Sequence, residues 1–355
     1  MSDIADLSKG IGISKDQLSA DGEPCILYGE LYTKYKSETI KEVISKTNID
    51  NTKLVKSKAN DVIIPCSGET AEEIATARCV LKDDVLLGGD LNIIRLHGYD
   101  GSFMSYQLNG KRKYDIAKVA QGVSVVHLYG EHLKNIKTIN PGLNEQKKIA
   151  NLLSLLDERI STQNKIIEKL ESLIKGIRND VFGKLRKSVG FNAMIGDVLS
   201  YEQPQSYLVE DTEYTNEGTP VLTANKAFVL GYTSEIEGIY DKGDCIIFDD
   251  FTLDCKYVDF SFKVKSSAIK ILTAKNKELL RYTFEFLKYL DLSTEEHKRH
   301  YITETQNQEF ILPTVQIIRT IAHAFYALSL WKETIVKQRY AFEKQKQYLL
   351  RQMFI

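Results

Sequence analysis

The sequence has few of the residues and motifs by which chemistry is usually recognised. Its five cysteines (Cys25, Cys66, Cys79, Cys245, Cys255) are odd in number and contain no Cys-x-x-Cys pair. They specify neither a disulfide framework nor a zinc knuckle and read as small buried hydrophobes. The six prolines, at 24, 65, 141, 204, 220 and 313, are never adjacent, which excludes the Asn/Asp-Pro-Pro-aromatic signature of amino-methyltransferases. Gly-x-Gly-x-x-Gly and Gly-x4-Gly-Lys-Ser/Thr are missing, and with them the usual dinucleotide and nucleoside triphosphate sites. His-x-x-x-His and Gly-x-Ser-x-Gly do not occur either. No run of 18 apolar residues is present, and the start, Met1-Ser2-Asp3-Ile4, lacks a secretory leader, so a cytoplasmic protein is expected. By exclusion the chain reads as a binding or scaffolding protein.

What is present is ordinary in bulk and ordered in detail. With 43% hydrophobic and 27% charged residues, 355 residues are enough for two or three globular domains. An internal repeat organises them. Setting Pro141 over Pro313 aligns Ile149 with Ile321, Ala150 with Ala322, Lys165 with Lys337, Glu171 with Glu343 and Phe182 with Phe354. In the first copy Ile149, Leu153, Leu156, Ile160, Gln163, Ile167, Leu170, Ile174, Ile177 and Val181 step by fours and threes, a heptad seam. In the second, Ile321, Phe325, Leu328, Ile335, Phe342 and Leu349 keep that register. Lys332, Arg339 and Lys346 interrupt it, and their stems are expected along the seam edge with charges in water. Each long helix has an obvious partner in the other. The segments between them carry short β-like runs, and these repeat too: Gly22-Glu23-Pro24 resembles Gly218-Thr219-Pro220, and Asp61-Val62-Ile63-Ile64 resembles Asp244-Cys245-Ile246-Ile247. The layout is residues 1–140, helix 141–186, residues 187–312, helix 313–355. Residues 187–312 hold 13 Lys+Arg against 21 Asp+Glu, a net of −8, which argues against tight unaided DNA binding.

The passage Asn140-Pro141-Gly142-Leu143-Asn144-Glu145-Gln146-Lys147-Lys148-Ile149-Ala150, followed by Leu156-Asp157-Glu158-Arg159-Ile160, resembles the central conserved region of type I restriction-modification specificity subunits. Residues 58–78 and 114–128, with Ala120-Gln121-Gly122-Val123-Ser124, and residues 228–270 resemble recognition domains of that family. The resemblance implies an α+β fold: two pseudo-symmetric globular target-recognition domains separated by a long antiparallel two-helix coiled coil. It implies a non-catalytic chain that reads a bipartite, gapped double-stranded DNA target. Adenine methylation and restriction would fall to partners: a methyltransferase subunit, in two copies, with S-adenosylmethionine, and a motor nuclease subunit with ATP and magnesium. The second copy departs from the pattern where Ile317-Ile318 replaces Glu145-Gln146 and Ser329 replaces Asp157.

Base readout requires donors and acceptors on loops, and phosphate contacts require cations and hydroxyls. Candidates in the first domain are Ser14, Lys15, Tyr32, Lys34, Ser67, Gly68, Thr70, Gly89, Lys111, Arg112, Lys113, Gln121 and Gly122. The alternative readings are a solvated hairpin tip for 111–113, a plain turn for 121–122 and surface decoration for Ser14, Lys15, Tyr32 and Lys34. In the second domain they are Lys226, Thr252, Lys256, Lys263, Lys265, Ser266, Arg299, His300 and Tyr301. Alternation in Phe260-Ser261-Phe262-Lys263-Val264-Lys265 puts the lysines on one face and the apolar residues on the other. Asp249 and Asp250 lack a third ligand and are read as acceptors for a cytosine amino group rather than as a metal site. The competing interpretation of the chain, motivated by its acidic segment, is a protein-binding scaffold or DNA-mimic regulator.

Overall fold

A computed structural model describes residues 1–50, 52–122, 125–224, 227–296 and 298–354. The chain forms two compact units: Met1–Lys165 with Val336–Ile355, and Ile166–Ile335. Two long helices, Leu143–Ser188 and Val315–Gln352, contribute a half to each.

The first unit is built on a five-stranded sheet in the order Ala5–Lys9, Leu91–Leu96, Asp61–Pro65, Arg78–Val80, Thr39–Ile40. Asp61–Pro65 is buried throughout, and its side chains alternate between two cores. Val62 and Ile64 pack with Ile94, Met104 and Leu108 on one side, while Ile63 packs with Ile26, Leu31 and Ile93 on the other. This is the physical reason for an unbroken Val-Ile-Ile run: both faces of the strand are covered. A second sheet pairs Glu23–Ile26 parallel with Leu86–Leu87 and antiparallel with Ser45–Thr47. All five cysteines are buried, and burial pushes the thiols up, Cys25 to about 11 and Cys245 to about 12.

The second unit repeats this plan. Its main sheet runs Leu199–Glu202, Ile269–Ala274, Cys245–Asp249, Cys255–Val258. Thr219–Leu222 pairs parallel with Lys263–Val264 and antiparallel with Val229–Thr233. Gly22 and Gly218 precede the equivalent strands with φ of +114° and +121°. A Cβ at either would stand 2.3 Å or 2.4 Å from a carbonyl, that of Thr47 or Thr233, so both turns require glycine.

Within each unit the helix halves run antiparallel. In the first, Ala150 and Leu153 pack with Leu349, Met353 and Phe354, and Arg339 Nη1 donates to Asn164 Oδ1 at 3.2 Å. In the second, Ile174, Ile177 and Val181 pack in the cluster of Ile321, Phe325 and Leu328, and Lys332 pairs with Glu171 at 2.6 Å. Seam positions Leu156, Ile167, Leu170 and Ile335 are buried, and Ile149, Ile160, Phe342 and Leu349 half-buried.

The expected place of the basic interruptions needs a correction at Lys346. Its ammonium is buried rather than in water: it bonds to Glu38 Oε2 and, at 2.5 Å, to Asp157 Oδ1. Tyr106 Oη and Ser37 Oγ donate to the other Asp157 oxygen at 2.7 and 2.8 Å. Burial pushes the Glu38 carboxyl up, opposed by the Lys346 charge. In the second unit the repeat-related Ser329 accepts from Arg281, which also pairs with Glu285 at 3.3 Å, and Glu285 pairs with Arg178 at 2.7 Å; Phe182 is in ring contact with Tyr282, Phe286 and Tyr289, as its counterpart Phe354 is with Phe103.

Candidate nucleic-acid interface

Loops at one end of the first unit enclose a cleft of about 780 Å³. It brings together four of the residues singled out from sequence, Ser14, Lys15, Lys34 and Gly89, beside Tyr28 and Asp90. The backbone N–H of Ser14 donates to Gln17 Oε1 at 2.9 Å, which fixes the turn that presents Lys15. Lys34 reaches Glu30 Oε1 at 2.7 Å and Ser45 Oγ at 2.6 Å, so its cation is held in place at the wall. Glu30 also accepts from the Leu27 N–H at 3.0 Å. Asp90, at φ +58°, turns the chain at the rim and accepts from Ser67 Oγ at 3.0 Å.

Other sequence candidates are placed elsewhere or occupied. Tyr32 is half-buried and donates to the Ser67 carbonyl at 3.2 Å, and burial raises its pKa. Ser67 is buried, so its hydroxyl serves the loop rather than solvent. Gly68 pairs with Val126, and Thr70 caps the helix Ala71–Ile74 through the Glu73 N–H at 3.2 Å. Lys111 and Arg112 lie not on a hairpin but in the turn between helices Gly101–Asn109 and Lys113–Val119, and Lys113 opens the second; Arg112 pairs with Asp115 at 3.2 Å. Gln121 and Gly122 form a tight turn: Gln121 bridges to His127, and Gly122 at φ +126° would bring a Cβ within 2.0 Å of the Val125 carbonyl.

In the second unit the expected alternation fails. Lys263 does not face outward; it is 3% exposed, pairs with Glu235 and donates to the Glu237 carbonyl at 2.8 Å. Phe262 and Val264 are buried with it, because a two-residue strand covered on both sides has no outward face. His300 and Tyr301 are also buried, each 1% exposed, and are corrected from contact residues to core residues. Asp250 does not present its oxygens to a base. It is 1% exposed, accepts from the His300 and Tyr301 N–H groups at 3.0 and 2.7 Å, and pairs with buried Lys270 at 3.3 Å. Asp249 accepts from the Phe251 and Thr252 N–H groups, both at 2.9 Å. Lys265, Ser266 and Arg299 are exposed, Thr252 is exposed on its turn and Lys256 is half-buried. Lys226, Val123, Ser124 and His297 lie outside the described residues. Among the described residues no group of His, Cys, Asp and Glu is arranged to hold a metal, and no helix is long and apolar enough to cross a membrane.

One cluster escaped the sequence reading. His127 and Tyr129 are exposed with ring centroids 6.2 Å apart, and the Lys9 ammonium stands 5.4 Å from the Tyr129 ring. The residues between and beside them, Val126 and Leu128, are core. An alternating buried and exposed pattern was available in 126–129, but the strand Val126–His127 is too short to stand out by period.

Residues 1–172 match the family described as type I restriction modification DNA specificity domain. Over 126 residues, 34% of this chain, it is 45% identical to the EcoR124I/EcoR124II type I restriction enzyme specificity subunit of Escherichia coli. Over 182 residues, 51% of this chain, it is 30% identical to the MjaVIII specificity subunit of Methanocaldococcus jannaschii. These matches span only 31% and 41% of those relatives. The fold is similar over 100% of this chain and 94% of the other to the crystal structure of a type I restriction-modification S subunit from M. genitalium, with TM-score 0.68 and 17% identity. A structure of a type I R-M system described for its complex assembly matches with TM-score 0.52 and 12% identity, covering 98% and 95% of the two chains. The motif Asn140 to Ala150 and its helix lie within the 172 residues that match, so over that part the chain is similar to the type I restriction modification DNA specificity domain, and over its whole length its fold is that of the solved S subunit.

Proposed function

We propose that this chain is the non-catalytic DNA-reading subunit of a type I restriction-modification complex. Each unit contacts one half of a gapped duplex target, and partner subunits methylate adenine and cut. A methyltransferase subunit, in two copies, would bring S-adenosylmethionine, and a motor nuclease subunit would bring ATP and magnesium. The observation that carries this reading is the duplication itself. One four-strand antiparallel order in the main sheet and the same glycine turn occur twice, each copy attached to an antiparallel helix segment. Two similar readers suit a target in two parts. In the first unit the cleft carrying Ser14, Lys15, Lys34 and Gly89 offers hydroxyl, cation and close backbone approach, the chemistry that phosphate and base edges demand.

The test is single-molecule mapping of methylated adenine in a host expressing the chain with its methyltransferase subunit, against a host lacking the chain. A gapped two-part motif that vanishes without the chain is the expected result. Identical methylation in both hosts, with the methyltransferase active, overturns the reading. The acidic balance of residues 187–312 favours a scaffold or DNA-mimic as the second reading, and that outcome would support it.

A further inference from the structure

The exposed His127–Tyr129 pair has no structural need to face solvent, and the duplicated fold makes that visible. In the first unit the Leu128 N–H donates to the Cys66 carbonyl at 2.8 Å; in the second the His300 N–H donates to the Asp250 carbonyl at 3.1 Å. The core faces set Ile64 against Phe248, one residue beyond the Ile247 that sequence likeness pairs with it, and counting outward from the sheet pairs Asn92 with Ile64 and Lys270 with Phe248, these are the same position of the fold. The next residue is a tyrosine in both. Tyr301 is 1% exposed and packs on Phe248, whereas Tyr129 is 45% exposed. One backbone arrangement therefore accepts a buried ring, and the first unit turns its ring outward instead.

The backbone that carries that ring is anchored. Val126 and Leu128 are buried on either side of His127, and Asn92 Nδ2 donates to the Leu128 carbonyl at 3.0 Å. His127 pairs with Ser67, and Ser67 Oγ donates to Asp90, a wall of the cleft. The patch therefore adjoins the cleft. It offers a fixed aromatic face, a phenol, an imidazole and the Lys9 ammonium, which is the side-chain set that binds sugar and phosphate on a duplex. Asp90 is the nearby opposing charge, and its Oδ2 accepts from Ser67.

We infer that Lys9, His127 and Tyr129 form a phosphate-and-sugar clamp through which the first unit grips double-stranded DNA beside its reading cleft. This rests on the DNA-reader function proposed above. The clamp positions the duplex and leaves sequence choice to the cleft. Its loss therefore weakens binding to every sequence alike.

The experiment is fluorescence anisotropy of the full-length chain, with its methyltransferase subunit, on a labelled duplex carrying the motif found by methylation mapping and on a scrambled duplex, across a salt series. Tyr129→Ala is expected to weaken both by about tenfold, as loss of one well-placed contact would. Lys9→Gln is expected to lower the salt slope by about 1. Because the altered side chains are exposed, unchanged circular dichroism melting is expected to accompany both. Affinity and salt slope equal to wild type in both variants, on a motif that the wild type binds, overturns the clamp alone. A tenfold loss confined to the motif, with the scrambled duplex unaffected, also overturns it, because the residues then read sequence. A wild type that binds neither duplex and directs no gapped methylation overturns the reader function and the clamp with it.

Discussion

The two units present the same backbone and different chemistry where the globule meets its helices. At the start of the first helix, buried Gln146 accepts from the Asp100 N–H at 2.9 Å and donates to the Pro141 carbonyl at 2.7 Å. At the repeat-related position of the second helix stands Ile318, which is simply buried in the apolar cluster. About three turns farther on, Asp157 gathers Lys346, Tyr106 and Ser37, whereas Ser329 accepts from Arg281. The second copy thus exchanges one way of docking for another. A buried polar junction needs every partner, since a half-satisfied network is costly.

Removing one member of the polar junction is the strongest way to separate the units. Lys346→Met leaves the buried Glu38 and Asp157 carboxylates facing each other and should cost about 3–5 kcal/mol. Native-state hydrogen exchange in residues 143–165 should speed up, with residues 279–290 unchanged. Adding Glu38→Gln and Asp157→Asn should recover much of the loss, and failure to recover would show that the junction is held by something other than charge. A change confined to the second unit is Phe182→Ala, which empties a site lined by three rings and should cost about 3 kcal/mol or somewhat more. Here exchange should accelerate in 279–290 and spare 143–165.

The shared features should respond alike. Gly22→Ala and Gly218→Ala each place a Cβ against a carbonyl at positive φ, for a cost of about 1–3 kcal/mol each. A large inequality between them would mean that the two turns are not equivalent. The smallest effect belongs to His300 of the second unit. Its hydrogen bond to Glu304 at 2.9 Å raises the imidazole pKa from the usual 6.5, while Lys298 and His300 pull the Glu304 carboxyl down. A raised histidine contributes stability below its ordinary pKa that is lost as pH rises through the folded value. A lowered carboxyl contributes stability above its ordinary pKa that is lost as pH falls through the folded value. The melting temperature of His300→Gln should therefore fall below wild type near pH 6 and approach it as pH rises towards 9. A difference that grows with pH would contradict the pairing.

Much of the fold could be read from residue order because it rests on period and repetition. The heptad step from Ile149 to Val181 places a stripe along one helix face, and the matched spacing of Ile321 to Leu349 does the same in its partner. Gly22 and Gly218, and the runs after Asp61 and Asp244, announce the same turn and the same central strand twice. The candidate site was less legible. Ser14, Lys15, Lys34 and Gly89 were found as types, yet nothing in their order shows that three separate loops converge on one cleft. Lys263 and His300 read as surface cations because sequence reports charge and not enclosure, and Glu235 and Glu304 neutralise them from residues distant or unremarked.

Composition and period by themselves determined the helix seam, the duplicated strands and the buried cysteines, since each follows from local geometry and from the preference of apolar side chains for the interior. Tertiary structure alone decided which charges are spent internally and which face outward. Lys346 sinks into a junction only because Glu38 and Asp157 arrive from different parts of the chain to offset its desolvation. Tyr129 and Tyr301 occupy the same place in the fold, and only the packing around each sends one ring into solvent and the other into the core.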